Sequence, residues 1–514
     1  MPCARLKKAR VVQVGKVGKV CKVCKVGKVC KVGKVGKVGK VGKVCKVCKV
    51  IQARGNAATG VSRDVIRALS SAFCDLTADY WLLSMDEKRF VLHTWTKQAD
   101  WNRPTIAGGA GTWFWDDQGR RYLDLSSQAE CCNLGHQHPA VVRAIQEQAG
   151  RLCYISNAWG AHPRAALAER IVAIANGDPT SIQTPVYGRV FFTCDGAEAT
   201  EHAIKMARWV TGRRKIISRY RSYHGATHAA LSVSGDPRGW NVTDGLRDVV
   251  RALPPYCYRC PFGLRYPGCG LRCADHMEEV IQQEGPDTVA ALIAEPAAGT
   301  NGIAAPPEYW PRLRQICDRY GILLIADEVM SGFGRCGAWF AWQAQAGQSI
   351  QDVAPDLFTM AKGLTGAHIP LGAICVSEQV AAYFDEHLLE TGLTYSGHPL
   401  ACAAGVAAIQ AYADEALIPR AKQLGKQMFE RLRDMQRQHA CIGDVRGLGL
   451  FACVEMVENT FPQPLPWLKE LASAALQRGV SVAVRGNLMF VCPPLVIEAS
   501  DLEWGLSVID ELLP

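Results

Sequence analysis

Between Pro139 and Gln379 short apolar runs alternate with helix-length stretches, and that alternation requires a mainly parallel β-sheet flanked by helices. The strand candidates are Arg189 to Thr193, Lys215 to Arg219, Ala290 to Ala294, Ile322 to Ala326 and Leu357 to Met360, each dominated by apolar side chains as in a sheet covered on both faces. Ligands in such sheets collect beyond the carboxyl ends of the strands. Polar residues just after these runs are therefore the candidates for chemistry. A chain of 514 residues has room for two domains and a large core, and no run reaches the roughly 18 uninterrupted apolar residues of a membrane helix.

Asp327 closes Gly321-Ile-Leu-Leu-Ile-Ala-Asp, and Lys362 follows Pro355-Asp-Leu-Phe-Thr-Met-Ala. A lysine and an aspartate at two strand ends are what pyridoxal 5'-phosphate chemistry needs: the lysine holds the aldehyde as a Schiff base, and the carboxylate keeps the pyridine nitrogen protonated. Three motifs keep them company. After Phe191-Phe-Thr-Cys-Asp, Gly196 and Ala197 open a helix whose unpaired N–H groups and positive dipole end can hold a phosphate, although a plain strand-to-helix turn reads the same way. Tyr223, with His224 beside it, can lie flat on an aromatic cofactor or pack as an ordinary loop. Glu295 ends Leu292-Ile-Ala-Glu-Pro, as a functional carboxylate or one satisfied by backbone donors.

Taken in order, Gly196-Ala-Glu-Ala, Tyr223-His-Gly, Ala294-Glu-Pro, Ala326-Asp-Glu-Val-Met-Ser-Gly-Phe-Gly-Arg, Ala361-Lys-Gly, Thr394-Tyr-Ser-Gly-His-Pro and Val445-Arg-Gly-Leu-Gly-Leu resemble the motifs of class III aminotransferases, across about Met85 to Pro514. His93-Thr-Trp-Thr and Ser127-Gln-Ala-Glu-Cys-Cys-Asn-Leu-Gly-His resemble the omega-amino acid and taurine:pyruvate branch. The resemblance implies an α/β protein of the pyridoxal phosphate fold type I: a large domain over 139–385, and a small α+β domain assembled from 85–138 and 386–514. It implies that Lys362 carries the cofactor and shuttles the proton, that Asp327 pairs with the ring nitrogen, and that Val329 and Tyr223 pack on the two ring faces. His224 and Glu295 would border the cofactor, and Gly196 and Ala197 would bind its phosphate. Thr394 would complete that site from a neighbouring subunit, giving a homodimer or tetramer with shared active sites. Arg446 would clamp the carboxylate of pyruvate in a planar bidentate contact, with Trp159 as a second substrate contact. The implied reaction moves an amino group from an omega-amino acid, taurine or related amine to pyruvate or another 2-oxo acid. Related family reactions using 2-oxoglutarate, and a silent binding module, are the alternatives.

Two residues depart from the family pattern. Asp195 stands where many relatives have serine or glycine, and an acid beside a phosphate is unfavourable unless its side chain turns away; Thr200 replaces a common asparagine. Cys257, Cys260, Cys269 and Cys273 have spacings that suit a structural zinc or iron–sulfur site, with packed free thiols the preferred reading. His136 and His138 resemble a metal pair but belong to a family turn.

Residues 1 to 50 hold 14 lysines, 2 arginines and no acid, leaving 42 basic against 48 acidic residues in the rest. The excess is a Gly-Lys-Val or Cys-Lys-Val triplet from about Val14 to Val50. It has no aromatic residue for base stacking, no helical or strand period and no secretory apolar core, which argues against nucleic-acid, membrane or targeting roles. The expectation is that it translates a nine-nucleotide tandem repeat, that residues 1 to 84 are disordered, and that the functional protein opens at Met85. Six of the 22 cysteines fall in residues 1 to 50; the other 16, including adjacent Cys131 and Cys132, point to a reducing, cytoplasmic setting and make the Asn241-Val-Thr243 sequon a chance match.

Overall fold

The computed structural model describes residues 87–177, 185–240, 245–344, 349–458 and 464–514. The expectations for residues 1 to 84, for Met85 and for the sequon lie outside the described residues. The chain divides into two units, one ending at Arg103 and one running Pro104–Pro514. In the first, Glu87–Phe90 makes one helical turn, and His93 stacks on Trp101 with ring centroids 3.9 Å apart.

The second unit is organised on a seven-stranded sheet. Its strands in chain order are β1 (Tyr187–Thr193), β2 (Lys215–Arg219), β3 (Val249–Ala252), β4 (Val289–Ala294), β5 (Leu323–Asp327), β6 (Leu357–Met360) and β7 (Gly372–Ser377), arranged β1-β7-β6-β5-β4-β2-β3. The pairs β6–β5, β5–β4, β4–β2 and β2–β3 are parallel, and β7 runs against both β6 and β1. Every residue of β4, β5 and β6 is buried, which is why these strands read as continuous apolar runs. The five strands expected from sequence are present within two residues of their expected ends. The short β3 at the sheet edge and the reversed β7 were not foreseen.

Sheet direction places the site. Because all strands but β7 are parallel, Thr193, Arg219, Ala294, Asp327 and Met360 end on one edge, the edge where α/β sheets bind ligands. The helix Gly196–Thr211 begins just beyond β1. Asp195 caps its first turn, accepting from Glu198 N at 2.8 Å, and Gly212, at φ 65°, stops it in the left-handed conformation.

Among the described residues three smaller sheets accompany the central one, one of them the two-stranded pair Ala297–Ala298 and Ile303–Ala304. Ile106–Ala110, Trp113–Asp116 and Arg121–Asp124 form an antiparallel meander, joined in parallel by Val480–Ser481 from near the other end of the chain. Ile442–Leu448, Phe451–Met456, Leu488–Val491 and Ala483–Arg485 form an antiparallel sheet. Among the described residues no single helix is long and apolar enough to cross a membrane.

Candidate active site

The edge of the central sheet brings Asp327, His224, Glu295 and Lys362 together. Asp327, on the last residue of β5, is buried and held from three directions: its Oδ2 lies 2.7 Å from His224 Nδ1, and its Oδ1 accepts from Val329 N at 3.0 Å and Thr359 Oγ1 at 3.3 Å. Such a carboxylate is fixed in direction, and an anion at this depth is tolerable only with donors around it. Glu295 sits one residue past β4. One oxygen has a single long contact, 3.5 Å from Tyr223 N, and the other is buried without a partner. Burial, reinforced by the charge of Asp327, pushes its carboxyl up to about 7 despite the opposing pull of His224 and Arg219. The Tyr223 ring has the Arg238 guanidinium 3.6 Å from its centroid.

Lys362, two residues past β6, has φ 44° and begins a short turn, Lys362–Leu364. Its Nζ lies 3.2 Å from Glu130 Oε2, and its side chain keeps a quarter of its surface exposed, so it faces an opening and is not sealed in the core. Burial pulls the ammonium down, but the nearby carboxylates, Glu130 foremost and then Asp327, outweigh that and leave it above the ordinary lysine value.

Glu130 lies within the family-like segment Ser127–His136, and its own role was not legible in the sequence. Ser127, Gln128, Ala129 and Glu130 have φ of 46°, 47°, 67° and 58°, one left-handed helical turn without a glycine. Left-handed backbone costs an ordinary residue about 1–2 kcal/mol, so the surroundings must impose it. Fully buried Arg335 does so, donating to Ser127 Oγ at 3.0 Å, Asn133 Oδ1 at 2.8 Å, Leu450 O at 3.0 Å and Pro493 O at 2.5 Å. The one signal available in sequence was a lone acid in an otherwise uncharged run.

The phosphate-binding candidates have the expected frame. Gly196 and Ala197 occupy the first helical turn, whose N–H groups have no intrahelical acceptor. A Cβ on Gly196 would come within 2.8 Å of both Val329 methyl groups, so only glycine lets that side chain approach. Asp195 turns its carboxylate onto Glu198 N as the helix cap, and so stays within the turn that holds Gly196 and Ala197.

Arg446 differs from the open clamp that the resemblance implied. Its Nη1 donates to Asp444 and Glu455 at 2.8 Å each, its Nε and Nη2 both reach Asn301 O at 3.1 and 2.6 Å, and its guanidinium lies 4.8 Å from the Tyr256 ring centroid. Glu455 is shared with Arg259 at 2.7 Å and with the Tyr256 hydroxyl. A substrate carboxylate must therefore exchange with partners already present. Asn301 also donates to Arg221 O at 3.0 Å, tying Arg446 to the loop that carries Tyr223.

Thr394 and Trp159 lie on a surface formed by two loops. Tyr154 donates to Thr394 O at 3.0 Å, and Arg164 joins Trp159 O at 2.8 Å to Gly397 O at 2.9 Å. Cys257, Cys260, Cys269 and Cys273 line one small cavity, yet among the described residues no three histidines, cysteines or acids are placed to hold a metal ion. His136 and His138 turn to different carboxylates, Asp124 at 3.1 Å and Glu415 at 2.8 Å, so they form no metal pair.

These residues fit pyridoxal phosphate on the structure's own terms. A lysine and a fixed carboxylate share one sheet edge, a glycine cradle opens a helix, and Glu295 Oε2 and His224 Nε2 are buried polar atoms that lack partners. Fold and site thus define a pyridoxal-phosphate-dependent transferase of fold type I. The chain belongs to the class III aminotransferases: residues 98–513 match the model of the family described as "Aminotransferase class-III". It is 36% identical over 406 residues to the leucine/methionine racemase of Thermococcus litoralis, covering 78% of this chain and 88% of that one. To the omega-aminotransferase of Caulobacter vibrioides it is 32% identical over 458 residues, covering 85% and 98%. Among solved structures it resembles the taurine:2-oxoglutarate aminotransferase of Bifidobacterium kashiwanohense in complex with PLP and glutamate, with TM-score 0.77, 39% identity, and 83% and 95% of the two chains covered.

Proposed function

We propose that this aminotransferase moves an amino group from an omega-amino acid, taurine or a related amine to a 2-oxo acid, pyruvate or 2-oxoglutarate. The observation that carries the proposal is the delivery of Lys362 and Asp327 by the paired strands β6 and β5 to one edge of the sheet, in a chain of this family. Bound there, pyridoxal phosphate supplies an aldehyde that takes up amines and a ring that accepts electrons. Lys362 would hold that aldehyde through Nζ and, once the donor amine displaces it, the freed nitrogen would take the proton from the donor's amine-bearing carbon and return it. Asp327, fixed by His224, Val329 N and Thr359, holds positive charge on the ring nitrogen. Val329 and Tyr223 would flank the ring, Glu295 and His224 would border it, and Gly196 N and Ala197 N would receive the phosphate. Arg446 receives the acceptor's carboxylate once Asp444 or Glu455 gives way. The donor leaves as a carbonyl compound before the oxo acid enters, so the kinetics are ping-pong.

The similarity to the taurine:2-oxoglutarate enzyme supports a donor whose anionic group is remote from its amine, and makes 2-oxoglutarate as strong a candidate acceptor as pyruvate. A panel of taurine, beta-alanine, 4-aminobutyrate, diamines and alanine, each paired with both oxo acids, tests the reading. Turnover restricted to alpha-amino acids would overturn the donor assignment. Racemisation of leucine or methionine without any oxo acid would favour the activity of the Thermococcus litoralis relative instead.

We also infer a homodimer. The Thr394 loop is exposed on a surface with Tyr154, Trp159 and Tyr395, and a second copy there would carry Thr394 to its neighbour's phosphate site.

A further inference from the structure

We propose that Glu130 is a positioning residue for Lys362: its carboxylate holds positive charge on Nζ and so sets the pH at which the lysine nitrogen, free or bonded to the cofactor aldehyde, gives up its proton. The inference rests on the assignment of Lys362 as the cofactor lysine. Its basis is geometric. Glu130 Oε2 stands 3.2 Å from Nζ, and Glu130 is itself 7% exposed, so solvent reaches the pair only from the side of the quarter-exposed lysine. Both partners have left-handed backbone, Glu130 at φ 58° and Lys362 at φ 44°, and a conformation so rare outside glycine persists only when neighbours dictate it. Those neighbours are Arg335, which grips Ser127 and Asn133 on either side of the turn, and Cys492 O, which accepts from Ser127 Oγ at 2.5 Å. The turn is thus built to present one carboxylate to one amine.

The other ionisable groups around Nζ do not duplicate this role. Cys131, on the same turn, and Cys492, after the strand Leu488–Val491, are thiols that burial pushes above their ordinary value, so they stay neutral. Asp327 is committed to His224. Arg335 acts on the two thiols from behind the turn, and Asp124 on Cys131. Glu130 is the carboxylate whose oxygen meets the lysine nitrogen. A positive charge on that nitrogen makes the attached carbon a better target for an incoming amine, so the carboxylate would keep the enzyme receptive to donors on the alkaline side of neutrality.

The test compares the wild-type holoenzyme with Glu130→Gln, which keeps shape and loses charge, and Glu130→Asp, which keeps charge. An opposite charge at this distance moves a pKa by about 1–3 units. The absorption transition of the lysine–cofactor bond with pH is therefore expected to fall by about one pH unit or more in Glu130→Gln, and the alkaline limb of kcat/KM should fall with it, whereas Glu130→Asp should lie between. In the cofactor-free proteins, the pH dependence of Lys362 acetylation, read by peptide mapping, should shift in the same direction. Unchanged transitions in a folded Glu130→Gln protein would overturn the inference. Borohydride fixing the cofactor on another lysine would instead overturn the assignment of Lys362, so the two failures are distinguishable.

Discussion

Asp327 and Glu295 lie on the same sheet edge in opposite electrostatic situations. Asp327 has three partners and a fixed orientation, and Glu295 has one long contact and a buried oxygen without any. On the proposed reading, Asp327 supplies the charge that the reaction leans on. Asp327→Asn is expected to lower kcat by about 10²–10³-fold, as loss of one aimed electrostatic partner does elsewhere, and Lys362→Ala to abolish turnover together with covalent retention of cofactor after borohydride. Steady-state kinetics and peptide mass measure the two. Glu295 makes a different prediction. Its folded carboxyl titrates near 7 and an unfolded glutamate near about 4.3, so between those values the unfolded chain holds fewer protons, and stability falls as pH rises through the window. Glu295→Gln is expected to raise the Tm of the cofactor-free protein at pH 8 and to leave it little changed below about pH 4.5. A Tm gain of equal size at both pH values would show that the carboxyl is not protonated in the fold.

At the scale of elements, sequence legibility followed locality. Strands β4, β5 and β6 were readable because both faces are buried and an apolar run survives intact, whereas β3 pairs along only one side, and β7 gave no sign of its reversed direction. The start of Gly196–Thr211 was readable from its turn, and even the unusual Asp195 has a local explanation as the cap. Asp195→Ser should keep that cap, changing stability by less than about 1 kcal/mol, and tighten cofactor binding by removing an anion from the phosphate turn; fluorescence titration measures it. The left-handed turn Ser127–Glu130 was not readable, since its conformation is dictated by Arg335, some 200 positions along the chain, at 208 residues from Ser127. Arg335→Ala leaves the buried acceptors of Asn133, Leu450 and Pro493 without this donor and is expected to destabilise the protein by about 1–3 kcal/mol for each one left unsatisfied, seen as a large fall in Tm. Arg335→Lys, with three donors and no planar fork, should recover only part of it.

Across the whole molecule the same limit recurs. Val480–Ser481 completes a sheet begun at Ile106–Ala110, and Arg446 meets Asn301, contacts whose partners no local pattern names. The closed state of Arg446 escaped sequence analysis for that reason, since its motif was recognisable while Asp444, Glu455 and Tyr256 around it were not. Trp159 and Thr394 were identified by motif, and both are exposed in this chain. Both lie on loops held to each other by Tyr154, Asn157 and Arg164. On that surface Trp159 is 67% exposed and Tyr395 57%, large aromatic groups that one chain leaves in water and a second copy would cover. If the dimer forms through this face, charge placed there should separate the subunits and empty the phosphate site of its Thr394. Trp159→Asp combined with Tyr395→Asp is therefore expected to shift sedimentation from dimer to monomer and to weaken cofactor retention together. A variant that stays dimeric with normal cofactor affinity would place the subunit interface on another face.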